Sequence, residues 1–227
     1  MAMNSLIDKK KKAEVLQRIR DRKAPFCAEK PLPEKPAGPM QTATNGKTRS
    51  LNKAIKSKDW SIPEIRRLIA EGADINARAF GRGIDAQNTP LMTAVYFKRN
   101  EIFDLLIGLG AEINKTNGEG ETPLIIAARE DNKYAARILL DRGADVNVQP
   151  KCVLTKIPEG AALHYAVRNN DPELVQMLLE RGADVTKRAW RDKKTSLMIA
   201  IEHRKFLIDN PNTAKVEELL RAAGATE

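Results

Sequence analysis

The sequence is poor in the residues from which most catalytic and metal sites are built. It has 2 cysteines and 2 histidines in 227 residues, and aromatic residues make up 4% of the chain. Cys27 and Cys152 form no disulfide framework, which suggests a reducing compartment. Cys152 and His164 could act as thiolate and base, but no third residue or oxyanion donor accompanies them. No Cys or His pair has zinc-site spacing, so we expect no metal, no cofactor and no enzyme.

Long apolar runs are also missing. No stretch approaches the roughly 18 apolar residues of a membrane span, and no apolar segment of a signal peptide follows the basic start. We expect a cytoplasmic protein, with a nuclear location or delivery into a host cell as the alternatives.

Positive charge is concentrated near the start of the chain. Residues 1–50 contain 12 Lys and Arg against 5 Asp and Glu, whereas residues 51–227 contain 27 against 25. Five prolines between residues 24 and 40 prevent a packed helix there. We predict a flexible, partly helical basic arm over 1–50, with a nuclear-import signal or contact with nucleic acid or an anionic membrane as alternatives.

The most regular segment of the chain is TPLIIAAREDNKYAARILLDRGADVN, at residues 122–147. Thr122 is suited to cap a helix, and Pro123 fits the first helical position, where no backbone donor is needed. Asp131 and Asn132 interrupt the pattern, and Gly143 is suited to end a second helix. The segment therefore predicts two short helices joined by a turn.

Copies of this segment occupy the rest of the chain after the arm. In the three central copies, the opening residue and the closing glycine are 21 residues apart, and Leu91 and Leu124 give a period of 33. One copy cannot bury its own apolar face, so the copies must stack on one another. The repeats are predicted at about 51–76, 89–114, 122–147, 161–185 and 195–225.

The TPL-x-x-A opening, the GAD-x-N close and the period together resemble the ankyrin repeat family, over about residues 51–225. The resemblance implies an all-α solenoid of about five helix-turn-helix repeats with β-turn fingers, forming a repeat domain over 51–227. It also implies a non-catalytic, scaffold-like module that binds other proteins. An effector or enzyme subunit with unrecognised chemistry is the less favoured alternative.

The sequence departs from the family pattern at two kinds of position. The usual glycine between the two helices is replaced by Lys98, Asp131, Asn170 and Arg204, and Lys and Arg tolerate a left-handed backbone less readily than Asp and Asn. We therefore expect the poorest fit at 98 and 204. The last repeat is eight residues longer than the others between its helices, where Asn212 or Thr213 is predicted to cap the second helix.

Partner contacts are predicted on the fingers and on the concave ends of the first helices, where the resemblance places variable residues. A strip of cations there predicts an acidic or phosphorylated protein partner for a chain that is monomeric when unbound. Trp190 could instead cover the stack, the two aromatics could pack beneath the long finger at 77–88, and the finger at 148–160 could bind or cover. The predicted contacts are Tyr96, Phe97, Arg129, Arg168, Lys187, Arg188, Trp190 and Arg191.

Overall fold

The structure is a computed structural model, and it describes residues 44–78, 87–150, 160–189, 192–206 and 210–226. These residues belong to one compact unit, Met40–Glu227. The helices described there form five consecutive pairs: α1 (Thr44–Lys56) and α2 (Ile62–Ala70); α3 (Pro90–Tyr96) and α4 (Asn100–Gly108); α5 (Pro123–Arg129) and α6 (Lys133–Asp141); α7 (Ala162–Arg168) and α8 (Pro172–Glu180); and α9 (Ser196–Phe206) and α10 (Pro211–Ala222).

The helix pairs stack in two layers. The first helices of successive pairs pack in the order α1, α3, α5, α7 and α9, and the second helices form a parallel row in the order α2, α4, α6, α8 and α10. Each helix also packs on its partner within the pair. The prediction of an all-α helical solenoid is confirmed.

The helices begin where the capping residues predict. The Thr89 and Thr122 hydroxyls accept hydrogen bonds from the backbone N–H groups of Met92 and Ile125, at 3.3 and 3.4 Å, and a proline follows each threonine. The fourth repeat has Ala161 at this position and no side-chain cap. The second helix of this repeat is capped by Asp171, which accepts hydrogen bonds from two backbone N–H groups at the start of α8.

The core lies between the two layers and between successive first helices. One leucine of each first helix occupies the same register position, and every one of them is at most 1% exposed. Each second helix has one exposed side and one buried side. In α6, for example, Leu139 is fully buried whereas Arg137 is exposed. The repeated leucines are Leu51, Leu91, Leu124, Leu163 and Leu197.

The turns between paired helices test the prediction that the family pattern fits poorly at Lys98 and Arg204. Lys98 has a φ of 53°, which matches 51° at Asp131 and 53° at Asn170, so the expected departure at 98 is wrong. Tight chain reversal requires this left-handed residue, and the stacking of both helices holds Lys98 in it despite the local cost. At Arg204 the departure is confirmed, because α9 continues to Phe206.

The cap of the last helix also differs from the prediction. Neither Asn212 nor Thr213 caps α10; the Asn210 side chain does, by accepting a hydrogen bond of 3.0 Å from the backbone N–H of Asn212. Pro211 is the first residue of α10. A proline at this position needs no backbone donor, which places the cap one residue before it.

Asparagine side chains link each finger to the next. Asn76, Asn114 and Asn147 each accept, through Oδ1, a backbone N–H of the following repeat at 2.8 or 2.9 Å; the donors are Glu112, Asp145 and Asp184. Each of these three pairs of neighbouring fingers is therefore joined by one asparagine hydrogen bond of the same kind.

The first helix starts earlier than the predicted repeat domain. Helix α1 begins at Thr44, and Thr48 is 2% exposed, with its hydroxyl accepting a 3.1 Å hydrogen bond from the backbone N–H of Asp74. Residues 44–50, assigned to the arm from sequence, thus belong to α1. The rest of the arm lies outside the described residues.

Candidate protein-binding surface

The short first helices reach solvent only at their C-terminal ends. Helices α3, α5 and α7 are seven residues long, and in each the six residues before the last are buried. The last residue and the one after it are at least partly exposed, and they recur in register from repeat to repeat. We call these six side chains the helix-end surface: Tyr96, Phe97, Arg129, Glu130, Arg168 and Asn169.

The second repeat supplies an aromatic pair to this surface. The rings of Tyr96 and Phe97 meet edge to face, with centroids 5.1 Å apart and planes at 69°. Both side chains are half-buried, and Tyr96 also packs against the core. The equivalent positions in the next two repeats carry Arg129 and Arg168, so the aromatic pair interrupts an otherwise polar row. The alternative contact with the long finger involves residues 79–86, outside the described residues.

Arg129 forms an ion pair within its own repeat. Its guanidinium bonds the Glu121 carboxylate, on the finger that precedes α5, and also Glu130 at 3.0 Å. Only 13% of the Arg129 side chain and 5% of the Glu121 side chain are exposed. The positive charge of Arg129 is therefore matched inside the protein.

A buried polar network surrounds the Glu121 carboxylate. The Asn117 side-chain amide donates to Glu121 at 3.0 Å and to the Asn88 side chain at 2.9 Å. Burial raises the pKa of Glu121 above its ordinary value, although Arg129 and Asn117 both act in the opposite direction. Glu121 thus joins the finger to the end of α5.

The last two repeats contain similar pairs. Arg168 bonds Asp192 at 2.6 Å, and Lys194 bonds Glu202 at 2.6 Å. Burial disfavours the charged form of Asp192, but the hydrogen bonds from Arg168 and from the Lys194 backbone, together with the charges of these two cations, outweigh it, and the pKa of Asp192 lies below its ordinary value. Lys194 and Glu202 occupy the positions of Glu121 and Arg129 with the charges exchanged.

The predicted strip of cations is thus a row of ion pairs where the structure describes it. The signal was present in the sequence, because opposite charges stand eight residues apart from Glu121 to Arg129 and from Lys194 to Glu202. Spacing alone did not show that the finger folds back onto the helix end. Arg129 and Arg168 keep their predicted place on the surface, but they do not present unmatched charge.

Two described segments of the basic last finger, on either side of residues 190 and 191, pair with each other. Arg188 and Thr195 form an antiparallel bridge, and the backbone N–H of Ala189 donates to Lys194 at 2.8 Å. The ammonium of Lys187 donates to the Asn147 carbonyl at 2.7 Å, and Arg188 donates to the Lys193 carbonyl at 2.8 Å. Trp190 and Arg191, also predicted to contact a partner, lie outside the described residues.

His164 is a core residue. It is 1% exposed, and its Nε2 lies 3.0 Å from the Lys187 carbonyl oxygen. Burial lowers the pKa of His164 below its ordinary value. Cys152, its suggested partner, lies outside the described residues. Over the described ranges, no three His, Cys, Asp or Glu side chains are grouped to hold a metal ion.

The family is shown by comparison with known proteins. A sequence model of ankyrin repeats in three copies matches residues 51–150 and 91–189, which together span more than half of the chain. The chain belongs to the ankyrin repeat family. Members of this family generally mediate protein–protein interaction and are generally non-catalytic.

The similar proteins are diverse and longer than this chain. An ankyrin repeat protein of fowlpox virus (strain NVSL) is 34% identical over 145 residues, 63% of this chain and 40% of that protein. Alpha-latroinsectotoxin-Lt1a of Latrodectus tredecimguttatus is 34% identical over 137 residues, covering 60% of this chain and 9% of the toxin. The human B-cell lymphoma 3 protein is 31% identical over 154 residues, covering 63% of this chain and 31% of that protein. The chain spans less than half of each of these relatives.

In the part of the chain that the structure describes, no helix combines the length and the apolar character needed to span a membrane.

Proposed function

We propose that this chain is a non-catalytic module that binds a protein partner through its helix-end surface and fingers, with Tyr96 and Phe97 at the centre of the contact. The aromatic pair carries the proposal. Large apolar side chains that are only partly covered and stand among polar ones are typical anchors of protein interfaces. No other pair of the helix-end surface is aromatic on both members.

The ion pairs of Arg129 and Arg168 change what these two cations contribute to partner binding. An acidic or phosphorylated partner, predicted from the sequence, would have to displace Glu121 and Glu130 from Arg129, and Asp192 from Arg168. Each displacement leaves a carboxylate without its cation, and such an exchange yields little net free energy. We therefore assign most of the binding energy to the aromatic pair. The ion-paired residues beside it, among them Arg129 and Arg168, would orient the partner.

The test replaces the pair and compares it with a more exposed aromatic residue on the second-helix layer. In the Tyr96→Ala, Phe97→Ala variant, affinity for a captured partner should fall at least tenfold, about 1.4 kcal/mol, because desolvated aromatic anchors are worth this or more. Tyr134→Ala is the matched control, since Tyr134 is 44% exposed on the second-helix layer. Partners are captured with the full chain and then measured individually by calorimetry.

Two outcomes separate this proposal from its alternatives. Partner binding that survives in the folded double variant would remove the aromatic pair from the site. Equal loss in the Tyr134→Ala control would place the contact on the second helices instead. Circular dichroism melting of each variant shows that it is folded before affinity is compared.

A further inference from the structure

The two histidines of the chain lie on neighbouring first helices, His164 on α7 and His203 on α9. His164 comes one residue after the register leucine of its helix. At the same register in the first repeat, Asn52 is 1% exposed and accepts a 2.6 Å hydrogen bond from the Thr93 hydroxyl of the following first helix. This register therefore faces the next repeat, which for His164 is the repeat of α9 and α10.

His203 faces the same interface from the other side. It comes six residues after the register leucine of α9, which is the register of Asn169 in the preceding repeat. The Asn169 side chain donates a 2.8 Å hydrogen bond to the Ala128 carbonyl, at the end of the first helix before it. The matching neighbour of His203 is the end of α7, where Arg168 is the last residue. His203 is half-buried there.

The His164 ring is placed to hold one proton and not two. Its Nε2 lies 3.0 Å from the Lys187 carbonyl oxygen, a contact that needs the proton on Nε2. Among the described residues, its buried Nδ1 has no hydrogen-bond partner. A Cβ added at Gly160 would lie 3.1 Å from Nδ1, so the Gly160 backbone covers this side of the ring. A second proton would therefore be a buried donor without an acceptor, which is costly.

The His203 ring meets a similar difficulty. Its Nδ1 is also buried, and no described residue bonds it. Burial and the charge of Arg168 both lower the pKa of His203, and they lower the pKa of His164 as well. The Lys187 and Ala161 carbonyls act in the opposite direction at His164, as does the charge of Asp192. The closed interface thus favours neutral rings on both histidines.

The carboxylates of this end of the stack are already matched by other cations. Glu202, which favours the charged form of His203, is bonded to Lys194. Arg191, next to Asp192 in the finger, lies outside the described residues. After residue 186, every carboxylate that the structure describes is ion-paired: Asp192 with Arg168 and Glu202 with Lys194 at 2.6 Å, Glu217 with Arg204 and Arg221 at 3.0 Å, and Glu218 with Lys215 at 3.1 Å.

The last described repeat is covered by a neighbour on one side. Helices α9 and α10 pack against α7 and α8. Met198 takes the register of His164 in this repeat and is half-buried, whereas Met92 and Ile125 at the same register are at most 1% exposed. In a stack held by nearest-neighbour interfaces, opening such a repeat breaks one interface, whereas opening an inner repeat breaks two.

We propose that the interface between the last two repeats is acid-sensitive, so that protonation of His164 and His203 opens the repeat of α9 and α10 while the earlier repeats stay folded. In the open state each ring reaches water and binds a second proton without the cost of burial. Both rings therefore bind protons more weakly in the closed stack than in the open one. The closed state is most stable above the ordinary histidine pKa and loses stability as the pH falls below it. The proposal does not depend on the partner contact at Tyr96 and Phe97.

The test is hydrogen exchange of the full chain at about pH 7.5 and about pH 5.5, read by mass spectrometry of peptides and corrected for the intrinsic exchange rate. Protection of α9 and α10 is compared with protection of α4 in the same molecules. Both pH values lie above the ordinary carboxyl pKa of about 4, so the carboxylates change little between them.

The variant is His164→Met, His203→Gln, in which neither new side chain titrates. Methionine occupies the register of His164 in the second and last repeats, and glutamine is a good helix former. The matched control is Ile125→Met, Lys205→Gln. It makes the same kind of change at the same register of the third repeat and at an exposed position of α9, and it keeps both histidines.

In the wild type and in the control, protection of α9 and α10 should fall about tenfold or more relative to α4 as the pH is lowered. In the histidine variant this relative loss should be less than about twofold. A second measurement needs no variant. The imidazole signals of the wild-type chain, followed by NMR, should show both histidines titrating below the ordinary value of about 6.5.

Four results would overturn the proposal. Unchanged protection of α10 in the wild type would show that acid does not open the last repeat. Equal losses in α4 and α10 would mean that the whole stack responds. A loss that persists in the histidine variant would assign the effect to other groups. Titration of either ring at or above the ordinary histidine value would remove its physical cause.

Discussion

Two ion pairs at equivalent positions of the stack provide a controlled test of how burial sets the strength of an ion pair. Glu121 with Arg129 and Lys194 with Glu202 join the same finger position to the same helix end, with exchanged charges. Side-chain exposure is 5% and 13% in the first pair but 34% and 44% in the second. Geometry is therefore similar, and solvent screening differs.

The expected magnitudes follow from this difference. Removing one member of a buried pair leaves an unmatched charge and costs about 3 kcal/mol, whereas an exposed pair contributes less than about 1 kcal/mol. Arg129→Gln should cost more than Glu121→Gln, because Arg129 would keep Glu130 whereas Glu121 would keep only Asn117. The coupling energy should be about 1–3 kcal/mol for the buried pair.

Double-mutant cycles measured by urea unfolding test this reasoning. Each cycle uses glutamine at both positions, which keeps an acceptor for Asn117 at residue 121. For Lys194 and Glu202 the coupling should stay below about 0.5 kcal/mol. Equal couplings in the two repeats would refute the argument from burial and would return Arg129 to the group of cations free to meet a partner.

Three further predictions concern the stack itself. Leu139→Ala should destabilise the protein by about 2–5 kcal/mol, because Leu139 is fully buried and a cavity would remain; a loss below about 1 kcal/mol in urea unfolding would contradict the register of α6. Lys98→Gly should stabilise the protein by about 0.5–1 kcal/mol, because glycine removes the cost of a left-handed backbone at a lysine, and Asp131→Gly should have a smaller effect. If Lys98→Gly destabilises the protein instead, the contacts of the lysine side chain outweigh the cost of its backbone conformation. The pKa of His164 is lower in the folded than in the unfolded state, so its contribution to stability is present above the ordinary histidine pKa and is lost as pH falls below it. In His164→Gln, the thermal melting temperature should therefore depend less on pH just below the ordinary histidine pKa. An unchanged pH profile would exclude His164 as the cause.

Much of the fold could be predicted from the sequence because its rules are local. Thr122 caps the helix that follows it, Gly143 ends the next helix, and the leucine period sets the register of stacking. The errors arose where local cost competed with packing. Lys98 adopts a left-handed backbone because both flanking helices are held by their neighbours, and a propensity argument at one residue does not include that energy.

The sequence by itself determined the repeat architecture, the positions of the helix pairs and the concentration of cations near the start of the chain, since each depends on spacing and composition. The tertiary structure decided which charges are matched. Glu121 lies just before the cap of α5 and Arg129 is the last residue of that helix, and only the folding of the finger against the helix end brings them together and excludes water. Pairing and burial depend on distances between segments, and these distances arise only when the repeats stack.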